Sequence, residues 1–135
     1  RLWESNEIMI NRWTFFSEDE MRCKGTGELH MNEDFMEKLI ALRREFNSPM
    51  IIASGYRRSD YNQQIGGKKK SAHTHGKAVD VTCYGEKAFK LVQLSFKHGF
   101  TGIGVKQNGP HKERFIHLDT INEETYPRPS IWSYK

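Results

Sequence analysis

The 135-residue chain contains no apolar run that approaches the roughly 20 residues needed to cross a bilayer, so no membrane insertion is expected. Cysteine is scarce. Cys23 and Cys83 could close at most one disulfide, which excludes a disulfide-framed secreted scaffold, and two separate thiols are the expectation. The opening "RLWESNEIMINRW" carries charges throughout and lacks the apolar core and small-residue cleavage site of a signal peptide. The chain starts with Arg1 rather than Met, so an export signal could have been trimmed, and localisation stays open. Acidic residues are in slight deficit, 17 against 21 Lys and Arg, and the net charge of +4 favours anionic partners. That excess is partly local, in Lys68, Lys69 and Lys70. Trp3, Trp13 and Trp132 are scattered near the termini without basic residues interleaved, which points to packing and not to a stacking surface. A nucleic-acid partner is therefore not expected.

Hydrophobic content of 36% and charged content of 28% fit one globular domain over residues 1–135, with no repeat and no interdomain linker. "FFSEDEMRC" places Glu20 three residues after Ser17, a capping-box pattern for a short helix. "MNEDFMEKLIALRREFNSP" reads as the clearest helix. Asn32 caps it, and Phe35, Leu39, Leu42 and Phe46 recur at helical spacing. "MIIASG", "KAVDVTC", "TGIGVKQ" and "RFIHLDT" read as strands, and "EKAFKLVQLSFKHG" as a second amphipathic helix with Phe89, Val92 and Phe96 on one face. One helical turn is expected around residues 61–65, and the tail "YPRPSIWSYK" is expected to be extended and docked by Trp132. Without βαβ regularity, the expected class is α+β: a small, mainly antiparallel sheet flanked by helices.

The chemistry concentrates in "KKKSAHTHGKAVDVT". On a strand, alternate side chains share a face, so Ala78, Asp80 and Thr82 point one way. The same rule groups Phe115, His117 and Asp119. If the two strands are neighbours, Asp80, His117 and Asp119 converge, and His73 can fold over them through a turn at Gly76. Two imidazoles and a carboxylate suit zinc, which in a catalytic site keeps one position for water and lowers the pKa of that water. A further carboxylate could then accept and return the proton.

"SAHTHGKAVD" matches S-x-H-x-x-G-x-A-x-D at Ser71, His73, Gly76, Ala78 and Asp80. "SGYRRSDYN" resembles S-G-Y-R-S-x-x-Y-N, and "GIGV" followed by "RFIHLD" resembles G-x-G-V and F-[IV]-H-[LV]-D. In this order the elements resemble the zinc D-alanyl-D-alanine carboxypeptidase family, over roughly residues 15–120. That family shares its fold with the hedgehog signalling domain and several phage endolysins.

The resemblance implies a hedgehog/DD-peptidase-like fold, Zn2+ held by His73, Asp80 and His117, and Arg57 as a residue that binds substrate and steadies the oxyanion. It implies a peptidase acting on peptidoglycan stem peptides, either as a D-Ala-D-Ala carboxypeptidase or as an endolysin-type endopeptidase; a monomer is the separate expectation. The proton carrier departs from the family pattern. Arg114 stands where several branches have an acid, and Phe115 where one branch has a histidine. Asp119 and Glu113 remain as candidates, with Asp119 favoured because "FIHLD" fits one branch. Asp119 could instead orient His117 or Arg57. Tyr56, Ser71 and His75 are further candidates for touching substrate, and Tyr61 and Asn62 either line the cleft or brace its loop. The alternative function is a zinc-binding module that has lost catalysis and serves to bind the cell wall or a protein.

Overall fold

The expected capping box forms. In a computed structural model that describes residues 12–135, the Ser17 hydroxyl accepts from the Glu20 N–H while the Glu20 carboxylate accepts from the Ser17 N–H. This starts helix α1 (Glu18–Met21). Helix α2 (Glu33–Phe46) begins where the Asn32 side chain accepts from the Phe35 N–H at 2.9 Å, and it stops at Asn47, a left-handed residue with φ 53°. Its buried stripe is Phe35, Met36, Leu39, Leu42 and Phe46, the spacing read from the sequence. Truncating a fully buried leucine such as Leu39 costs about 2–5 kcal/mol in comparable cores. Helix α3 (Ser59–Gln64) is the short turn expected before the polar loop, and α4 (Gly85–Lys97) is the second long helix.

Five strands form one sheet: β1 (Ile51–Ser54), β2 (Ala78–Thr82), β3 (Gly102–Lys106), β4 (Phe115–Asp119) and β5 (Ser130–Ser133). Their spatial order is β1-β2-β4-β3-β5. Every pairing is antiparallel except β3 with β5, which is parallel. The class is α+β, as expected. The docked tail goes further than the expectation, because its backbone adds a strand with Gly104 opposite Trp132.

Strand alternation divides the sheet into two faces with different work. Val79, Val81, Ile103, Ile116 and Leu118 join the core cluster with the buried stripe of α2. The opposite face carries Asp80, His117, Asp119, Gly102 and Gly104. The registers place Asp80 opposite His117 on one side of β4 and Gly104 opposite His117 on the other.

Helix α4 is rotated from the sequence expectation. Ala88, Leu91 and Ser95 are its buried residues, whereas Phe89 is 75% exposed and Phe96 60%. The physical reason is proximity. α4 contacts both β4 and α2, and small Ala88 and Ser95 allow that approach. The Ser95 hydroxyl is satisfied by the Val92 carbonyl at 2.7 Å. Cys23 is buried and Cys83 half-buried, and both are free thiols, as expected. Trp13 is buried, Trp132 borders the cleft described below, and Trp3 lies outside the described residues.

Candidate metal centre and its cleft

His73 sits on a short 3-10 turn, Ala72–His75, that ends at Gly76. The Ser71 hydroxyl accepts from the His73 N–H at 3.2 Å and so starts the turn. Gly76 has φ +68°, and a Cβ there would fall 1.9 Å from the His30 carbonyl oxygen. Only glycine fits, which explains the fixed glycine between His73 and the Asp80 strand.

The three expected ligands converge, all buried. Asp80 Oδ1 lies 3.3 Å from His73 Nε2 and 3.0 Å from His117 Nδ1. One ligand atom from each of the three residues falls within 4.8 Å of the others. The far nitrogens of both rings are occupied. His73 Nδ1 is 2.7 Å from the Gly55 carbonyl, which can only accept, so Nδ1 carries the proton. His117 Nε2 is 2.7 Å from Asp119 Oδ2 and donates to that carboxylate. In the neutral tautomers this fixes, His73 Nε2 and His117 Nδ1 both present lone pairs toward Asp80. Two lone pairs and a carboxylate aimed at one point repel unless a cation joins them. The donor set therefore fits a zinc-type divalent ion.

The electrostatics follow from this arrangement. Burial alone would raise the pKa of Asp80, but the two imidazoles outweigh it and hold the carboxyl far below its ordinary range. Burial likewise opposes protonation of His117, yet the Asp119 and Asp80 carboxylates raise its pKa above 6.5. The centre attracts positive charge from either a proton or a metal.

Arg57 reaches the centre from the segment after β1. Its guanidinium donates to Ser54 Oγ at 3.1 Å, to Asn62 Oδ1 at 3.2 Å and to Asp80 Oδ2 at 3.5 Å. Buried Asn62 also donates to the Lys68 carbonyl at 2.7 Å, so it braces both Arg57 and the loop. The cleft in front has a volume of about 540 Å³, and Asp80 is the one carboxylate among the described residues that line it. Ser71 borders it.

The remaining candidates are placed elsewhere. Asp119, expected to carry protons, is fully buried behind the His117 ring. Its two oxygens are taken by Arg128, with Nε–Oδ1 at 2.9 Å and Nη2–Oδ2 at 2.7 Å, and Oδ1 also accepts the Ile121 N–H. Burial would raise its pKa, but His117 and Arg128 bring it down to about 2. Such a carboxylate is a poor proton acceptor, and it does not line the cleft. Glu113 is exposed on the 3-10 turn His111–Glu113 and does not line the cleft. Tyr56 packs edge-on against His30, with ring centroids 5.1 Å apart, away from the cleft. His75 is also outside, and its Nε2 is 2.8 Å from the hydroxyl of Tyr126, a residue that does line it.

Arg128, Tyr126 and Tyr134 escaped the sequence reading. A signal existed for Arg128: a carboxylate next to a buried strand histidine needs a cation, and "YPRPS" offers one. The glycines of "GIGV" also acquire a reason. A Cβ on Gly102 would lie 2.3 Å from both Asp119 oxygens, and one on Gly104 would lie 2.6 Å from Trp132 Nε1. The side chains of this face fit because β3 places glycine at positions 102 and 104.

Fold and site together define a buried two-histidine, one-carboxylate metal centre at the floor of an open cleft. Residues 14–119 match the Peptidase M15 family profile, and the chain belongs to that family. Among characterised proteins it is similar to the zinc D-Ala-D-Ala carboxypeptidase of Streptomyces albus G, with 33% identity over 69 residues. That match covers 50% of this chain and 27% of the relative, so the chain spans about a quarter of the relative's length.

Proposed function

We propose that the protein is a zinc-dependent peptidase that hydrolyses peptide bonds of bacterial peptidoglycan stem peptides, as a D-Ala-D-Ala carboxypeptidase or an endolysin-type endopeptidase. The observation that carries this reading is the pair of histidines locked in metal-binding tautomers around Asp80, beside a guanidinium and open to a peptide-sized cleft. Family membership and the similarity to a carboxypeptidase support it.

His73, Asp80 and His117 would hold the metal. Zinc there supplies a Lewis acid and an acidified water. The chain's own residues do the rest. Gly55 and Asp119 accept from the far ring nitrogens and so keep His73 Nε2 and His117 Nδ1 turned toward the centre. Arg57, anchored by Ser54 and Asn62, points a fixed positive charge at the place where negative charge develops on the scissile carbonyl. Asp119 acts as an orienting acceptor for His117, and Arg128 keeps it charged. Hydrolysis adds hydroxyl to the acyl carbon and a proton to the departing amine.

One observation favours the second reading, a zinc-binding module without catalysis: the cleft has no carboxylate besides Asp80 among the described residues that line it. The two readings separate in one experiment. Zinc-loaded and chelated protein are incubated with defined muropeptides, and the products are identified by mass spectrometry. The peptidase reading expects metal-dependent release of D-Ala or of a split stem. Zinc-dependent stability with no new fragment from any muropeptide would leave the binding module.

A further inference from the structure

The family match ends at residue 119, yet one wall of the cleft comes from residues beyond it: Tyr126, Arg128, Trp132 and Tyr134. β5 brings them there. Its register puts Trp132 beside Gly104, which itself pairs with His117, and the indole centroid lies 5.1 Å from the His117 ring. The Tyr134 ring packs on Phe115 with centroids 5.1 Å apart. Gly104 shows where the polar ends of these rings meet. A Cβ on it would lie 2.6 Å from the indole nitrogen and 2.8 Å from the phenol oxygen. Both polar atoms therefore sit over the missing side chain of Gly104, next to His117.

An indole nitrogen can only donate, so the phenol oxygen beside it is free to use its own O–H toward the cleft that Tyr134 lines. Burial pushes the phenol's pKa up and the Asp80 carboxylate adds to this, so the hydroxyl keeps its proton at neutral pH. Tyr134, Asp80 and Arg57 line the same cleft.

We propose that Tyr134 is a catalytic residue whose hydroxyl donates a hydrogen bond to the scissile carbonyl oxygen as it becomes an oxyanion, acting with Arg57 from another wall of the cleft. The inference rests on the peptidase reading above. No proton is transferred: the O–H bond stays intact, and the hydrogen bond strengthens as charge moves from the carbonyl π bond onto oxygen. The Trp132 indole shares the space over Gly104 with the phenol. The strand that follows the matched domain thus completes the site.

The test uses zinc-loaded protein with Tyr134→Phe, which keeps the ring on Phe115 and removes only the hydroxyl. Loss of one such donor is expected to lower kcat roughly 100-fold with KM little changed. Affinity for a phosphinate dipeptide analogue, measured calorimetrically, should fall by a similar factor, whereas affinity for the product peptide and for zinc should hold. Thermal unfolding confirms that the variant is folded. Equal kcat and equal phosphinate affinity in Tyr134→Phe, with an active wild type, would overturn the role of Tyr134 and leave the peptidase reading standing. A wild type that cleaves no muropeptide overturns both. A fall in zinc affinity matching the fall in kcat would also overturn the proposal, because Tyr134 would then be supporting the metal centre.

Discussion

Arg128 grips Asp119 through both carboxylate oxygens, at 2.9 and 2.7 Å, and Asp119 in turn accepts from His117 Nε2. A residue of the tail thus holds the acceptor that orients His117, a candidate metal ligand eleven positions earlier in the chain. The chain Arg128–Asp119–His117 is almost wholly out of water, with the Asp119 side chain 0% exposed and that of Arg128 11%.

Breaking this chain at its outer end should therefore be felt at its inner end. Arg128→Ala leaves a buried carboxylate without its cation and is expected to cost roughly 3–5 kcal/mol of stability. Zinc affinity should drop by about 10- to 100-fold, because the acceptor that turns His117 is lost or protonated. Urea unfolding and chelator competition measure the two effects, and an unchanged zinc affinity would show that Asp119 does not orient His117.

Stability of the metal-free protein should fall in acid through the same carboxylate. Asp119 is held at about 2 against an ordinary 3.8, because His117 and Arg128 overcome the upward push of burial. Between these values the unfolded chain binds more protons than the native one. The stabilisation is therefore present above about pH 4 and is lost as pH falls toward 2, a change on the order of 2 kcal/mol. Asp119→Asn should lack this component, so wild type and variant converge in unfolding free energy as pH falls to about 2.

Zinc should raise the thermal midpoint, and its apparent affinity should depend on pH with the opposite chemistry. The metal must displace the proton that Asp119 and Asp80 favour on His117, whose pKa lies above 6.5 despite burial. Affinity is expected to weaken as pH drops through that raised value, roughly tenfold per unit for one displaced proton. A zinc affinity flat from pH 8 to pH 5.5 would contradict the assigned ligand set.

Gly102→Ala tests the close approach between β3 and β4. The added methyl would sit 2.3 Å from both Asp119 oxygens, and the carboxylate cannot retreat because Arg128 and the Ile121 N–H hold it. A loss of about 1–3 kcal/mol is expected from overpacking. Weakened zinc binding should accompany it. Gly27→Ala, where no atom lies within 4 Å of the new Cβ but φ is +77°, serves as a comparison that strains the backbone without touching the site.

Much of the fold was legible because its signals are local. The capping box at Ser17, the Asn32 cap and the apolar spacing of Phe35, Leu39, Leu42 and Phe46 act within a few residues and appear as read. Helix α4 misled for a related reason. Its aromatic residues mark an amphipathic pattern, but which side faces the sheet depends on how closely α4 approaches β4 and α2, and small residues won that contact. Hydrophobicity alone would bury Phe89 and expose Ser95, the reverse of what the packing does.

The grouping of His73, Asp80 and His117 was readable from local pattern once two strands were taken as neighbours. Strand alternation puts Asp80 on one face of its strand and His117 on one face of another, and the His73–Gly76 spacing allows a single turn to close over them. Tertiary structure decided what surrounds the triad. Asp119 became a buried partner of His117 because Arg128 returns to meet it, and Tyr134 reached the cleft because β5 pairs in parallel with β3. Side-chain periodicity is a property of a few consecutive residues, whereas these contacts depend on which distant segments pair and in what register.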